Sequence, residues 1–372
     1  MTILHLLLFF LASLYGLFIC SLIISTLRPI REKSADRNVA HSLPGVSIVI
    51  PFRNETPNLE RLVVSLNNQE YNGPVEVILV NDGSTDNYID IISNLSCAHP
   101  PKVLDSIFLQ EKQLSSKQQA LELGIQSAAY DWIALTDADM LLEPHWLSSL
   151  MDRADHGASL VFGHTVTQTG NHATLSNWFQ AFQLETLFSV AYAFSRGGFA
   201  GSCMGNNLLV SKKAFIETGG YAAMGYSITE DCDLLKTFRK NKFKVAATEP
   251  FSPTGVTASC LKLGDYYQQL MRWVKGGFEK NSFLACAGLL LGIQNLLFIF
   301  ALIGILSGPV ALVVFCNLLL TWLFVIIAFK KIRSREHSFH FWPFYLLFLI
   351  ESFILLIAIA LRRPVIWKER RI

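Results

Sequence analysis

Asp137 and Asp139 stand on either side of Ala138, at the end of the apolar run Trp132-Ile133-Ala134-Leu135 and just before Met140-Leu141-Leu142. A strand that carries two carboxylates to its C-terminal edge is placed to hold a divalent cation, and a cation there can bind a diphosphate. Asp-x-Asp is common by chance, so alone it has little specificity. Its weight comes from three further polar stations in a fixed order. Val80-Asn81-Asp82-Gly83-Ser84 precedes it, and Thr229-Glu230-Asp231 and Gln269-Leu270-Met271-Arg272-Trp273 follow.

Groups so far apart in the chain need a scaffold that gathers them. Val46–Pro51 reads as a buried strand, followed by a helix over 56–69 with Thr56 as N-cap and Leu59, Leu62, Val63 and Leu66 on one face. Val75–Val80 is a second strand that runs into Asn81-Asp82-Gly83-Ser84, and a short helix starts near Asp86. A third strand is expected near Ile107–Leu109, then a helix over 116–129 and a strand over 132–136 that ends at Asp137. Strands alternating with helices predict a mostly parallel sheet with right-handed crossovers. Ligands bind such sheets at the C-terminal strand edges, where Asp82 and the Asp137/Asp139 pair both fall. Further along come a helix over 144–154, a strand over 159–163, an amphipathic stretch over 173–195 and a strand at Asn206–Val210. Thr229 is placed to cap a helix reaching Arg239, with Glu230 and Asp231 in its positive first turn.

The chain has 372 residues, and 51% of them are hydrophobic. These apolar residues concentrate at the two ends. Residues 1–27, 283–307 and 309–329 hold no Asp, Glu, Lys or Arg, and 341–361 holds only Glu351. Each stretch is at or above the ~20 residues that cross a bilayer. The reading is a membrane protein: a retained anchor at 1–27, a polar linker at 28–44, a large domain at 45–264, a juxtamembrane helix at 265–282, a membrane region at 283–361 and a basic tail at 362–372. The apolar start is too long for a cleaved signal peptide and lacks a basic flank.

Arg28, Arg31, Lys33 and Arg37 follow the first span with nothing basic before it, which places the large domain in the cytoplasm. Lys330, Lys331, Arg333 and Arg335 agree. Arg362, Arg363, Lys368, Arg370 and Arg371 conflict with this, because a third C-terminal span would put them outside. Either 341–361 is a re-entrant or interfacial element, or an earlier stretch does not span. Seven cysteines without a Cys-x-x-Cys pair fit reduced structural thiols. The net charge of +2, with no basic stripe, gives no sign of a nucleic-acid partner.

The ordered stations resemble the inverting GT-A glycosyltransferases of family 2. The likeness is to the membrane-integrated branch of cellulose, hyaluronan and poly-N-acetylglucosamine synthases and ceramide-glucosyltransferase-like enzymes, over about residues 45–280. The resemblance implies an α/β, Rossmann-like GT-A domain with one N-terminal and two to three C-terminal transmembrane or interfacial helices. It implies a nucleotide-sugar donor, a UDP-sugar for preference, contacted by Pro51, Arg53, Asn54, Glu55, Asp82, Lys117 and Asp137-Ala138-Asp139. Asp137 and Asp139 would serve the diphosphate and its Mg²⁺ or Mn²⁺, which hard oxygen ligands favour over zinc. Asp231 is the candidate general base, with Glu230 second, and a single displacement inverts the anomer.

Gln269, Arg272 and Trp273 match the Q-x-x-R-W motif of acceptor and diphosphate binding, and Gly205 and Asn206 allow close approach to the sugar or simply turn the chain. The family's Gly-Lys-x-x-Ala-Leu segment reads Ser116-Lys117-Gln118-Gln119-Ala120-Leu121 here, without the glycine. Lys117 would therefore reach a phosphate or simply face solvent at a helix start. Two acids at a helix N-terminus also stabilise it, by under ~1 kcal/mol, and Arg with Trp also suits a lipid surface.

The acceptor implied is a lipid or lipid-linked glycan at the cytoplasmic face of a plasma membrane, such as the bacterial inner membrane. Single addition is preferred over a processive synthase, because about four apolar segments are few for a product channel. A scaffold with a GT-A-like domain but no catalysis is the rival of another class. The sugar, the acceptor and the oligomeric state are not set by the sequence.

Overall fold

The computed structural model describes residues 3–29, 43–110, 113–169, 173–249, 254–280, 282–332, 341–361, 366–367 and 370–371. Most of the 28–44 linker and of the 362–372 tail lies outside the described residues. The chain forms two compact units. One is made of Met1–Pro29, Glu185–Gly201 and Leu261–Ile372, the other of Ile30–Leu184 and Ser202–Cys260.

In chain order the elements are α1 (Ile3–Leu27), β1 (Val46–Phe52), α2 (Thr56–Asn67), β2 (Val75–Asn81), α3 (Tyr88–Asn94), β3 (Lys102–Asp105), α4 (Ser116–Ser127), β4 (Trp132–Thr136), β5 (Leu141–Leu142) and α5 (Trp146–Asp155). They continue as β6 (Leu160–Phe162), β7 (Thr165–Thr167), α6 (Leu175–Arg196), β8 (Asn207–Ser211), α7 (Lys212–Glu217), α8 (Gly220–Met224), α9 (Glu230–Lys240), β9 (Val245–Ala247), β10 (Gly255–Thr257) and α10 (Leu263–Lys280). The last are α11 (Ser282–Leu302), α12 (Gly308–Lys331), α13 (Phe341–Ala360), β11 (Ile366–Trp367) and β12 (Arg370–Arg371).

The unit that holds the acidic stations is built on a seven-stranded sheet of order β3-β2-β1-β4-β8-β6-β9. Pairings β3–β2–β1–β4 and β6–β9 are parallel, and β8 runs antiparallel to both β4 and β6. Every residue of β1 is buried, as a parallel strand covered on both faces requires. The core gathers Ile48, Ile50, Leu59, Leu62, Leu79, Trp146 and Leu150 between sheet and helices. Ser115 and Gln118 close a capping box at the start of α4, each side chain bonding the other's backbone N–H. Gly124 packs so tightly on β1 that a Cβ there would stand 2.3 Å from Val49 Cγ1.

Three expectations are corrected. The third strand is Lys102–Asp105 and not Ile107–Leu109, where Ile107 is 77% exposed. As an edge strand it carries no apolar run to announce it. Thr56 does not cap α2: the cap position is Glu55, and the Thr56 N–H and hydroxyl both donate to Asp86, from a distant loop. Thr229 holds the cap position of α9, but its side chain makes no capping hydrogen bond, and its N–H donates to Ser227 Oγ at 3.2 Å.

In the other unit, α1, Ala285–Leu302 of α11 and α12 are each long and apolar enough to cross a membrane. Polar side chains pin them together, as expected where apolar packing against lipid gives little preference. Asn317 Nδ2 donates to Ala12 O at 2.8 Å and to Gln294 Oε1 at 2.9 Å, and Tyr15 shares a 3.1 Å hydrogen bond with Thr321. The pairs 12–317 and 15–321 make α1 and α12 parallel. Gln294 Nε2 donates to Val314 O at 3.1 Å, so the ends of α1 and α12 lie beside the start of α11.

Candidate active site

Two loops at the C-terminal edge of β1 and β2 are laced together. Asn81 Oδ1 accepts the Ser84 N–H at 2.8 Å, and its amide donates to Tyr88 Oη at 3.0 Å and Asp105 Oδ1 at 2.9 Å. The Asp82 N–H donates to Phe52 O at 2.8 Å, and Arg53 Nη1 donates to Asp82 O at 3.4 Å. Asp82 is 9% exposed. Asn54 sits at φ 54°, a left-handed conformation that asparagine tolerates. Its Oδ1 accepts the Thr85 N–H at 2.8 Å, and its own N–H donates to Ser84 Oγ at 3.0 Å. Pro51 is buried in β1, and Glu55 accepts from Asn58 Nδ2 at 2.6 Å.

One strand over, β4 delivers Asp137 and Asp139 to the same edge, while Ala138 turns into the core, 3% exposed. Arg61, from α2, donates to Asp139 O at 2.9 Å and fixes the turn. Lys117, at the start of α4, places its ammonium 2.8 Å from Asp137 Oδ1 and 2.8 Å from Glu230 Oε1. Burial opposes that charge, but the two carboxylates outweigh it and raise the Lys117 pKa above the ordinary lysine value. Lys117 thus joins two acidic stations through one cation.

Glu230 and Asp231 open α9, whose acidic first turn and basic last turn, Arg239 and Lys240, complement the helix dipole. Asp231 Oδ1 accepts the Cys232 N–H at 2.9 Å. Gly205 faces the other oxygen: a Cβ there would stand 2.7 Å from Asp231 Oδ2 and 2.9 Å from its Cγ. Cys203 Sγ lies 3.5 Å from Asp231 O, and burial together with the nearby Asp231 pushes the Cys203 thiol well above its usual value.

Asn206 donates to Met140 Sδ at 3.3 Å and accepts from Thr165 Oγ1 at 3.2 Å. The structure therefore brings Asp137, Lys117 and Glu230 into direct contact. It sets Asp231 against Gly205 and Asp82 against Arg53. Gln269, Arg272 and Trp273 lie on α10, in the other unit.

Two residues of the site were not singled out in the sequence. Gln118, fully buried, accepts the Ser227 N–H at 2.9 Å and donates to Gly225 O at 2.9 Å, so α4 holds the loop that leads into Glu230. Asn207, also fully buried, accepts from Trp146 Nε1 at 2.9 Å and donates to Thr254 Oγ1 at 2.9 Å, anchoring the strand behind Gly205 and Asn206. The Ser115-x-x-Gln118 capping pattern and the Asn206-Asn207 pair ahead of an apolar strand were the available signals.

Asp137 and Asp139 are part-exposed hard oxygen donors. Among the described residues no three of His, Cys, Asp or Glu gather to cage a metal. Two carboxylates fit a cation of the Mg²⁺ type, which is held by one or two protein carboxylates and completed by substrate phosphates and water.

Comparison with known proteins agrees with the architecture. A mannosyltransferase from Pyrobaculum calidifontis, solved in complex with GDP-Man and Mn²⁺, superimposes with a TM-score of 0.54 at 17% identity, over 87% of this chain and 98% of that one. The likeness shows a shared GT-A-like fold. Poly-β-1,6-N-acetyl-D-glucosamine synthase of Staphylococcus aureus is 24% identical over 249 residues, 67% of this chain and 58% of the synthase. The chain thus spans under two thirds of that relative's length. Chondroitin synthase of Pasteurella multocida is 30% identical over 122 residues, 32% of this chain and 12% of that protein. Residues 8–372 match glycosyl transferase family 21, and with nearly its whole length covered the chain belongs to that family.

Proposed function

We propose that the protein is a membrane-integrated, inverting glycosyltransferase that moves a sugar from a nucleotide-sugar donor, a UDP-sugar for preference, to a lipid or lipid-linked acceptor at the cytoplasmic face. The observation that carries this reading is the convergence of Asp137, Lys117 and Glu230 next to Asp231 at one sheet edge. In this reading Asp82, with the Pro51–Glu55 loop, holds the nucleoside. Asp137 and Asp139 would hold Mg²⁺ or Mn²⁺, which when bound would supply positive charge to the departing diphosphate. Lys117 adds a second cation beside it. Asp231 accepts the proton of the acceptor hydroxyl as that oxygen attacks the anomeric carbon. The bond to the nucleoside diphosphate breaks in the same displacement, so an α-linked donor gives a β-linked product. Asp231 is the better base because Lys117 occupies Glu230 Oε1. Gln269, Arg272 and Trp273 bind diphosphate and acceptor.

A processive synthase is the second reading, and the likeness to a poly-N-acetylglucosamine synthase favours it. The small set of apolar helices favours single addition. Purified protein in lipid, offered a panel of nucleotide sugars with Mg²⁺ or Mn²⁺, is expected to yield a lipid carrying one added sugar by mass spectrometry. A ladder of lengths would support the synthase, and no product from any donor would refute both.

A further inference from the structure

Glu351 is the one charge between residues 341 and 361. An ionisable group in so apolar a helix is costly unless the helix delivers it to a polar partner. Contacts within its unit trace the course of α13. Near its start, Trp342 packs on Trp322 of α12, with ring centroids 5.6 Å apart. The Tyr345 hydroxyl donates to Asn295 Oδ1 of α11 at 2.9 Å, and its ring meets Phe298 edge-on at 6.0 Å. At ~1.5 Å per residue, Trp322 lies ~13 Å and Asn295 ~20 Å from the end of the bundle where α11 begins and α12 finishes.

Further along α13, Glu351 Oε1 accepts from the Tyr266 hydroxyl of α10 at 2.9 Å. α10 ends at Lys280, α11 begins at Ser282 and the two pack on each other, so α10 belongs to that same end. β11, which follows α13, also lies against α10. The helix therefore begins at depth and emerges at the end where the chain entered it.

We propose that α13 is a re-entrant helix whose Glu351, through Tyr266, positions the helix that bears Gln269, Arg272 and Trp273. Tyr266 precedes Gln269 by three residues and Trp273 by seven, so all three share one side of α10. A hydroxyl donating to a carboxylate is a strong hydrogen bond, suited to fixing the rotation of the helix. The charge distribution agrees independently. With α13 re-entrant, Arg362, Arg363, Lys368, Arg370 and Arg371 share a side with Arg28, Lys330 and Lys331, and the conflict in the basic residues disappears. The role given to α10 rests on the proposed function, whereas the course of α13 does not.

Two arms test this on the full chain. An epitope after Ile372 and a second inserted in the 28–44 linker are probed in sealed vesicles of known orientation. Both are expected to be reached from the same side, and opposite accessibility would show that α13 spans and overturn the proposal. In the second arm, Tyr266→Phe and Glu351→Leu are expected to lower kcat about tenfold with donor KM unchanged, and Glu351→Gln, which keeps an acceptor oxygen, to stay within about threefold of wild type. If Arg272→Ala abolishes transfer while Tyr266→Phe and Glu351→Leu turn over normally, the positioning role is wrong. If Arg272→Ala is itself fully active, the functional reading of α10 fails, and the positioning role falls with it.

Discussion

Gly205→Ala is a one-methyl probe of the proposed base. The added Cβ would stand 2.7 Å from Asp231 Oδ2, 2.9 Å from Cγ and 3.0 Å from Cβ. Ordinary carbon contacts begin near ~3.5 Å, so the carboxylate must retreat by roughly 0.5–1 Å. Its Oδ1 is held by the Cys232 N–H at 2.9 Å, so rotation breaks that bond and translation shifts the first turn of α9. Overpacking of this kind costs about 1–3 kcal/mol of stability. A base displaced by ~1 Å costs on the order of 100-fold in rate. The expected result is a folded protein with donor affinity within a factor of about three of wild type and kcat reduced roughly 10- to 100-fold. Donor binding by calorimetry and transfer by product quantification separate the two effects. Wild-type kcat in Gly205→Ala would refute the claim that the Asp231 carboxylate works from the position seen here. An equal loss of donor binding would mean the glycine serves the donor instead.

Lys117→Met leaves Asp137 and Glu230 without their shared cation. A third of that side chain is exposed, so the stability loss is discounted to about 1–2 kcal/mol. Transfer should fall at least tenfold through donor KM, and unchanged kcat/KM would remove Lys117 from the donor site. Burial pushes the His164 imidazole down from its ordinary 6.5 to about 3, so the unfolded chain alone is protonated between those values. Its contribution is complete above pH 6.5 and lost as pH falls toward 3, the loss relative to neutral pH reaching about 2 kcal/mol at pH 5. Denaturant unfolding at pH 7.5 and pH 5 should show His164→Leu losing less stability than wild type across that interval, and equal losses would contradict the assignment.

The strands that hold the site were legible because buried parallel strands are continuous apolar runs: Val46–Phe52, Val75–Asn81 and Trp132–Thr136 could hardly be anything else. The edge strand Lys102–Asp105 was not, since Val103 is 40% exposed and the pattern signal goes with burial. Ile107-Phe108-Leu109 drew the assignment by its apolar character, yet Leu109 is held as a loop by the Gln119 side chain, which bonds both its N–H at 2.9 Å and its O at 2.8 Å.

The acidic stations were readable one by one. Their joining through Lys117 was not, because it depends on how α4 and α9 meet. Gln118 and Asn207 left only weak local signals for a related reason: a buried polar residue has no period, and its worth appears only with its partners. Gly205 reads as a close approach to the sugar or a turn, whereas in the structure its missing side chain lets the backbone lie against the Asp231 carboxylate.

Asp231 as the general base is the central claim, and Asp231→Asn tests it most directly. The amide keeps the size of the side chain and an acceptor oxygen for the Cys232 N–H but cannot take a proton at neutral pH. Single-turnover transfer should fall at least 1000-fold, within the range of a lost general base, while the nucleotide sugar still binds with wild-type affinity in the presence of Mg²⁺ or Mn²⁺. Wild-type turnover in Asp231→Asn would contradict the account.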